Sequence, residues 1–232
     1  APGNPHRSQR RHHDQVPLIT TGQPVWLLDL DNTLHDATPH IFPHINRSMR
    51  EYIERHLGVD TDEATRIRQE YWVRYGATLL GLVRHHGTDP RHFLRETHRF
   101  PDLPAMIRFD PALRATLKAL PGRKIVFSNA PRHYTEAVLT LTGLDRLVNA
   151  VYAVENLRFH PKPNPKAFRT LLKAERLNPH RCVLVEDTLA NLVTAKRLGM
   201  KTVWVSTGLR QSAYVDWKIP SATGLRQVAS RL

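Results

Sequence analysis

Apolar and polar positions change rhythm twice along the chain. Residues 1–24 hold four Pro, three His and three Arg. They show almost no apolar periodicity, so a basic, mobile tail is expected there. It lacks the continuous apolar stretch of an export signal. Val25 to Leu30 is then a short apolar run that ends among Asp29 and Asp31, as in a buried strand with carboxylates at its C-terminal end. From 44 to 57, Ile45, Met49, Tyr52, Ile53 and Leu57 recur at helical spacing, and Gly58 closes the pattern. Ile67, Tyr71 and Trp72 mark a second helix, and Leu79, Leu80, Leu82 and Val83 a third. Asp89 followed by Pro90 opens a fourth, as a cap and a first helical residue. Residues 38–108 therefore read as all-helical.

Beyond Pro111 the rhythm alternates. Leu113, Leu117 and Leu120 predict a helix, and Lys124 to Phe127 a strand that stops at Ser128-Asn129. Helices are expected over 132–142, 165–176 and 189–198, and strands over 148–154, 182–185 and 201–205. Such alternation predicts a parallel sheet with helices on both faces. The expected architecture is an α/β core, residues 25–37 and 109–232, interrupted by an inserted all-helical domain over 38–108.

Composition narrows the class. At 232 residues, with 41% hydrophobic and 24% charged side chains, the chain can bury a core of its own. Cys182 is its one cysteine, which excludes an internal disulfide or a cysteine-rich zinc site and fits a reducing, cytoplasmic setting. The apolar runs fall far short of the ~20 residues of a membrane span, so no membrane partner is expected. The formal net charge of +13 favours anionic partners. Against that trend, residues 16–37 carry three Asp and no Lys or Arg. Carboxylates placed there have no neighbouring basic partner in sequence.

Three predicted strands end in polar residues: Asp29 and Asp31, Ser128 and Asn129, Glu186 and Asp187. Lys162 adds a cation in the Pro-rich loop His160–Pro165. Ligands of open α/β sheets bind beyond the carboxyl ends of the strands, where these groups would converge. Four carboxylates at one place repel one another, and oxygen-only ligands select Mg²⁺ as the cation that relieves them. Mg²⁺ keeps open positions for a phosphate, and the Ser128 hydroxyl and Lys162 ammonium add phosphate donors. One carboxylate can attack phosphorus, and a second, two residues on and on the same side of a strand, can serve the leaving oxygen and then the water.

The segment DLDNTL at 29–34 resembles the first motif of the haloacid dehalogenase superfamily of phosphohydrolases. Ser128, Lys162 and Glu186-Asp187 match the superfamily's second, third and fourth motifs in order. The resemblance spans about residues 25–208. It implies a Rossmann-like core whose helical insert is a cap domain. It implies Asp29 as nucleophile, Asp31 as general acid/base, and Ser128 and Lys162 as phosphate ligands. Mg²⁺ is implied on Asp29, the Asp31 carbonyl and Asp187, with Glu186 nearby in a supporting position. Thr33, implied as a support of the local turn, and Asn129 are grouped with the substrate-binding residues. The presence of Asp31 speaks against haloacid dehalogenation.

Residues 75–98, with Ser128-Asn129-Ala130 and Lys162–Pro165, are similar to the pyrimidine 5′-nucleotidase branch. That implies an aspartyl-phosphate phosphatase acting on nucleoside monophosphates such as UMP and CMP. Tyr75, Thr78 and His85 are the cap residues expected to meet the base. Two alternatives stay open: a phosphatase for another small phosphate, such as phosphoglycolate or a sugar phosphate, and a nucleic-acid-binding relative of the fold. Each motif also has a plain structural reading. Ser128-Asn129 can cap the helix after Pro131, and Tyr71, Trp72 and Tyr75 can be core, although one of them could stack on a base.

Overall fold

The computed structural model describes residues 22–232; the expected tail over 1–24 lies outside them except for Gly22–Pro24. Six strands form one sheet in the order β3-β2-β1-β4-β5-β6, every neighbouring pair parallel. They are β1 (Val25–Leu28), β2 (Arg123–Phe127), β3 (Ala150–Tyr152), β4 (Cys182–Glu186), β5 (Lys201–Val205) and β6 (Trp217–Ile219). In β1, Val25 and Leu27 enter one apolar cluster while Trp26 and Leu28 enter the other. The same split separates Ile125 from Val126 in β2 and Leu184 from Val185 in β4. Because side chains alternate across a strand, a continuous apolar run buries both faces of the sheet.

The helices α6 (Ala112–Ala119), α7 (Arg132–Thr142) and α10 (Leu225–Ala229) cover one face, through residues such as Leu117, Val138 and Leu225. The other face is covered by α8 (Pro165–Ala174) and α9 (Leu189–Arg197), through Phe168, Leu171 and Leu192. Between β1 and β2 come α1 (Ile41–Leu57), α2 (Thr61–Tyr75), α3 (Thr78–His86), α4 (Pro90–Thr97) and α5 (Leu103–Met106). The sequence signals for them are met in detail. Asp89 accepts the Arg91 amide at the start of α4, and Gly58 ends α1 at φ 67°, in the left-handed region a Cβ disfavours. These helices bury their own apolar cluster, built on Tyr52, Ile53, Ile67, Leu82 and Phe93. The whole is the α/β Rossmann-like core with an inserted helical cap that the sequence predicts. Among the described residues no helix is long and apolar enough to cross a membrane.

The short elements α5, β6 and α10 are additions to the predicted set, and the predicted strand over 148–154 is reduced to Ala150–Tyr152. Helices of four and five residues hold too few turns to show a period.

The packing of α2 on α3 depends on Gly81, whose missing side chain is replaced by the root of the Tyr71 ring. A Cβ there would fall inside van der Waals contact with Tyr71 Cβ and Cγ, atoms that cannot swing away. Ala is the better helix former by about 1 kcal/mol, whereas forcing extra volume into a packed core costs typically ~1–3 kcal/mol. Gly81→Ala is therefore expected to lower the denaturation midpoint. A midpoint equal to or above wild type would show that Tyr71 is free to yield.

Candidate active site

Parallel pairing sets the site. Leu28 lies level with Val126 and Val185, so the next residue of each chain segment emerges at one edge of the sheet. Asp29 is fixed there by donating its backbone N–H to the Val185 carbonyl at 3.0 Å, and Ser128 by donating to Tyr152 at 2.9 Å. β1 ends at Leu28, however, so Asp31 is not aligned with Asp29 by strand alternation, as the sequence argument expects. A turn does it instead. Leu34 N–H donates to Leu30 at 2.8 Å, and Asn32 takes φ 58°. The turn returns the Asp31 carboxylate to the same cavity as Asp29.

Lys162 is the centre of this edge. Its ammonium is 2% exposed and bonds Asp29 Oδ1 and Glu186 Oε2, each at 2.7 Å. It also lies 5.0 Å from the centroid of the Phe127 ring. The loop that carries it is clamped by Asn129. The Asn129 Oδ1 accepts the Lys162 amide at 2.7 Å, and its Nδ2 donates to the Lys162 carbonyl at 2.9 Å. Asn129, grouped in sequence with the substrate-binding residues, thus spends both ends of its amide on the Lys162 backbone. Thr33 likewise faces Asp29, its hydroxyl 3.4 Å from Oδ2, and stands outside the lining of the cavity that holds Asp29. Ser128 is buried, its Oγ accepts the Ala130 amide at 3.0 Å, and it does line that cavity, with its hydroxyl proton free to donate.

Glu186 is fully engaged. Oε1 accepts the Asp187 and Thr188 amides at 3.1 Å each, and Oε2 accepts Lys162 and Asn191 Nδ2 at 2.7 and 2.9 Å. It therefore caps the start of α9 and anchors Lys162, which leaves it little capacity to ligate an ion. Asp187 has no such set: its one side-chain hydrogen-bond donor is Thr188 Oγ1, at 3.2 Å.

The electrostatics are unbalanced. Oxygen atoms of Asp29, Glu186 and Asp187 lie within 4.8 Å of one another. Burial, with Glu186 and Asp187 as neighbours, pushes the Asp29 carboxyl well above its usual range despite Lys162. Burial and Glu186 push Asp187 up to about 7. Glu186 is also buried, but the Lys162 charge and its amide donors hold it down. Lys162 is disfavoured as a cation by burial, yet Asp29 and Glu186 raise its pKa above the ordinary value. One ammonium does not balance two buried carboxylates and a half-buried third, and the surplus charge on an all-oxygen donor set fits a hard divalent cation such as Mg²⁺. Asp29 and Asp187 are the carboxylates with capacity to hold it.

Above the sheet edge a cavity of about 770 Å³ opens between core and cap. Thr78 lines it, but its hydroxyl is committed to the Arg68 carbonyl at 3.0 Å. Tyr75 and His85 lie outside it and pair with each other, hydroxyl to Nε2 at 2.5 Å. The aromatic residue that does face the cavity is Trp72, 61% exposed, with Phe42 on α1. Tyr71, from the same helical stripe, is core and hydrogen-bonds His86 at 2.8 Å. Arg68, Asn46 and Gln69 supply the polar side chains of this wall, none of which the sequence singles out. His98 also lines the cavity, and burial lowers its pKa to about 4, so its imidazole is neutral.

Comparisons with known proteins agree with this arrangement. The chain is 27% identical over 195 residues to validoxylamine A 7′-phosphate phosphatase of Streptomyces hygroscopicus subsp. limoneus, covering 79% of this chain and 85% of that protein. It is 26% identical over 237 residues to glyceraldehyde 3-phosphate phosphatase of Pyrococcus furiosus, covering 89% and 93%. Its fold matches that of a HAD phosphatase from Thermococcus onnurineus, with a TM-score of 0.61 at 23% identity over 89% of this chain and 97% of the other. The sequence pattern of the haloacid dehalogenase-like hydrolases fits residues 25–199, from the first strand to the end of α9, and the chain belongs to that family.

Proposed function

We propose that the protein is a phosphomonoesterase that works through an aspartyl-phosphate on Asp29. The observation that carries this is the Asp29 carboxylate, 7% exposed at the floor of the cavity. It is held by Lys162 on one oxygen and has Asp187 within ligand-sharing distance. Asp29 attacks phosphorus as the ester bond to the leaving oxygen breaks, and Asp31 gives that oxygen its proton. Asp31 then takes a proton from water, which attacks the phosphorus and releases phosphate and free Asp29. Ser128 and Lys162 offer hydrogen-bond donors to the phosphoryl oxygens. Asp29, Asp187 and the Asp31 carbonyl would hold Mg²⁺, which when bound would supply positive charge that favours the ionised Asp29 and attracts the phosphate dianion.

The cavity wall supports a nucleoside monophosphate as substrate, and a pyrimidine such as UMP or CMP suits the most exposed aromatic face in its lining. Trp72 offers that face, Asn46 and Gln69 offer amides for base edges, and Arg68 is the only Lys or Arg in the lining. A wall so short of cations suits an uncharged leaving group. Arg68 also favours a second reading, because no carboxylate pairs with it among the described residues and its Nη1 donates only to Asn46, at 3.0 Å. A small phosphate with a second anionic group, such as phosphoglycolate, would find its partner there.

Three outcomes are expected. First, Asp29→Asn abolishes phosphate release while the circular-dichroism spectrum stays native, since an amide cannot form the acyl phosphate; near-normal turnover in the folded variant would end the mechanism. Second, excess EDTA removes activity and Mg²⁺ restores it. Asp187→Ala raises the Mg²⁺ concentration needed for half-activity, and full activity in chelator would show that the carboxylate cluster serves no ion. Third, across UMP, CMP, AMP, GMP, phosphoglycolate and a sugar phosphate, the pyrimidine nucleotides give the highest kcat/KM. Trp72→Ala lowers that value by about 5- to 150-fold, the worth of one stacked base. If phosphoglycolate ranks first and Arg68→Gln removes the preference, the nucleotide reading fails and the phosphatase reading stands.

A further inference from the structure

Asp31 is held at one oxygen only. Its Oδ1 accepts the Tyr134 hydroxyl at 2.7 Å and lies 2.9 Å from His35 Nε2, while no protein donor among the described residues reaches Oδ2. Both partners are locked. The His35 side chain is fully buried and Tyr134 is 1% exposed, whereas the Asp31 side chain is 18% exposed and lines the cavity. Tyr134 enters from the first turn of α7 and packs against Phe100, ring centroids 5.2 Å apart, so its hydroxyl cannot swing away. His35 comes from the turn that follows Asp31 and bridges back to it.

The tautomer of His35 follows from its other nitrogen. Nδ1 is buried and has no partner among the described residues. A proton on Nδ1 would be an orphaned donor, and the bare Nε2 would face the Asp31 carboxylate at 2.9 Å and compete with it for the one proton of the Tyr134 hydroxyl, 3.2 Å away. A proton on Nε2 leaves only a bare acceptor at Nδ1, the less costly of the two. Two donors, Tyr134 O–H and His35 Nε2–H, therefore converge on Oδ1 and fill both of its lone-pair positions.

We infer that Tyr134 and His35 are positioning residues for Asp31, which anchor Oδ1 and leave Oδ2 as the oxygen that passes the proton in the cleft. This rests on the phosphatase reading. In the acid form the proton sits on Oδ2 and Oδ1 is the carbonyl-like acceptor of both donors. The proton leaves Oδ2 for the ester oxygen as the phosphorus–oxygen bond breaks, and Oδ2 recovers a proton from the attacking water. The carboxyl plane need not turn between the two steps, because Oδ1 keeps the same partners throughout. Unanchored, the carboxylate would rotate about its side-chain bonds, and misplacement by about 1 Å can cost on the order of 10²-fold in rate.

The test separates positioning from mere packing by varying how much the leaving oxygen needs a proton. Phenyl phosphate and 4-nitrophenyl phosphate have nearly the same shape, but nitrophenolate departs readily without protonation. In wild type, Asp31→Asn, Tyr134→Phe and His35→Gln, kcat/KM is measured for both esters in the presence of Mg²⁺, with melting temperature as a control. Tyr134→Phe removes one oxygen and keeps the ring that fills the core. It is expected to lower the phenyl-to-nitrophenyl ratio about tenfold or more, toward the Asp31→Asn value, within the ~10²–10⁴-fold range of a general acid. His35→Gln can keep a donor and should lower the ratio less than Tyr134→Phe does. A proportional loss on both esters, or an unchanged ratio, in both variants would overturn the inference and reduce the pair to packing. If Asp31→Asn shifts the ratio and neither neighbour does, positioning fails while the phosphatase reading survives. If the wild-type protein hydrolyses neither ester, both fall together.

Discussion

A single buried ammonium holds the site together. Lys162 stands between Asp29 and Glu186 at hydrogen-bond distance from both. Burying a charge is costly unless it is paired and hydrogen-bonded, and breaking such a pair costs about 3–5 kcal/mol because the other charge is stranded. Here the strand ends, the Lys162 loop and the start of α9 are tied to that one group. Glu186 gives one oxygen to Lys162 and the other to the amides that open α9, while Asn129 grips the Lys162 backbone from the end of β2. The ends of β1 and β4 thus meet on one nitrogen atom, and the end of β2 holds the backbone of the loop that carries it. The sheet supplies the common edge and Lys162 supplies the register across it.

That device leaves negative charge over. Lys162 satisfies Glu186 and one oxygen of Asp29, but Asp187 stays raised to about 7 and Asp29 stays raised as well. Burial and the neighbouring carboxylates thus oppose the ionisation of Asp29, while Lys162 favours it. The further counter-charge is what a divalent cation would supply. With such an ion bound, stability and reactivity would be divided between two cations, the covalently attached one fixing geometry and the exchangeable one setting the charge state.

How much of this the sequence reveals depends on whether a signal is local. The helix at 132–142, the strand at 201–205 and the cap at Asp89-Pro90 are written in a few adjacent residues and match the structure. Asp29, Ser128 and Glu186-Asp187 are legible because they stand at the ends of apolar strands, and Lys162 because prolines bracket it. What escapes is pairing at a distance. Tyr134 meets Asp31 across 103 positions, and nothing near His133-Tyr134 marks it as anything but a helix residue with an apolar ring. The cap residues fail for a different reason. Tyr71, Trp72 and Tyr75 share one helical stripe, and periodicity gives the stripe without saying which side faces the cleft. The structure turns Tyr71 inward, Trp72 to the cavity and Tyr75 to His85. Asn129 and Thr33 look like ligands because they adjoin ligands; their hydrogen bonds run to Lys162 and Asp29 instead.

Charge on the larger scale completes the argument. The acidic cluster sits in a chain of net charge +13, and residues 111–185 alone carry 13 Lys and Arg against four Asp and Glu. A phosphate dianion approaching three carboxylates would be repelled if the site acted alone. At distances near a Debye length, about 8–10 Å at physiological salt, it meets the summed basic field of the core, which draws it in. Closer in, Lys162 and the Ser128 hydroxyl take over on the scale of single hydrogen bonds. The cap contributes little to the first stage, because residues 38–110 carry 11 Arg against ten acidic residues. On the proposed function it would act later, because Trp72 and Arg68 line the cavity where the group attached to the phosphate would lie. The same separation explains why the acidic stretch at 16–37 is tolerable in so basic a protein. Its carboxylates are few, and Asp29 is buried against Lys162 while Asp31 is held by Tyr134 and His35, so they set local chemistry without cancelling the basic field of the core.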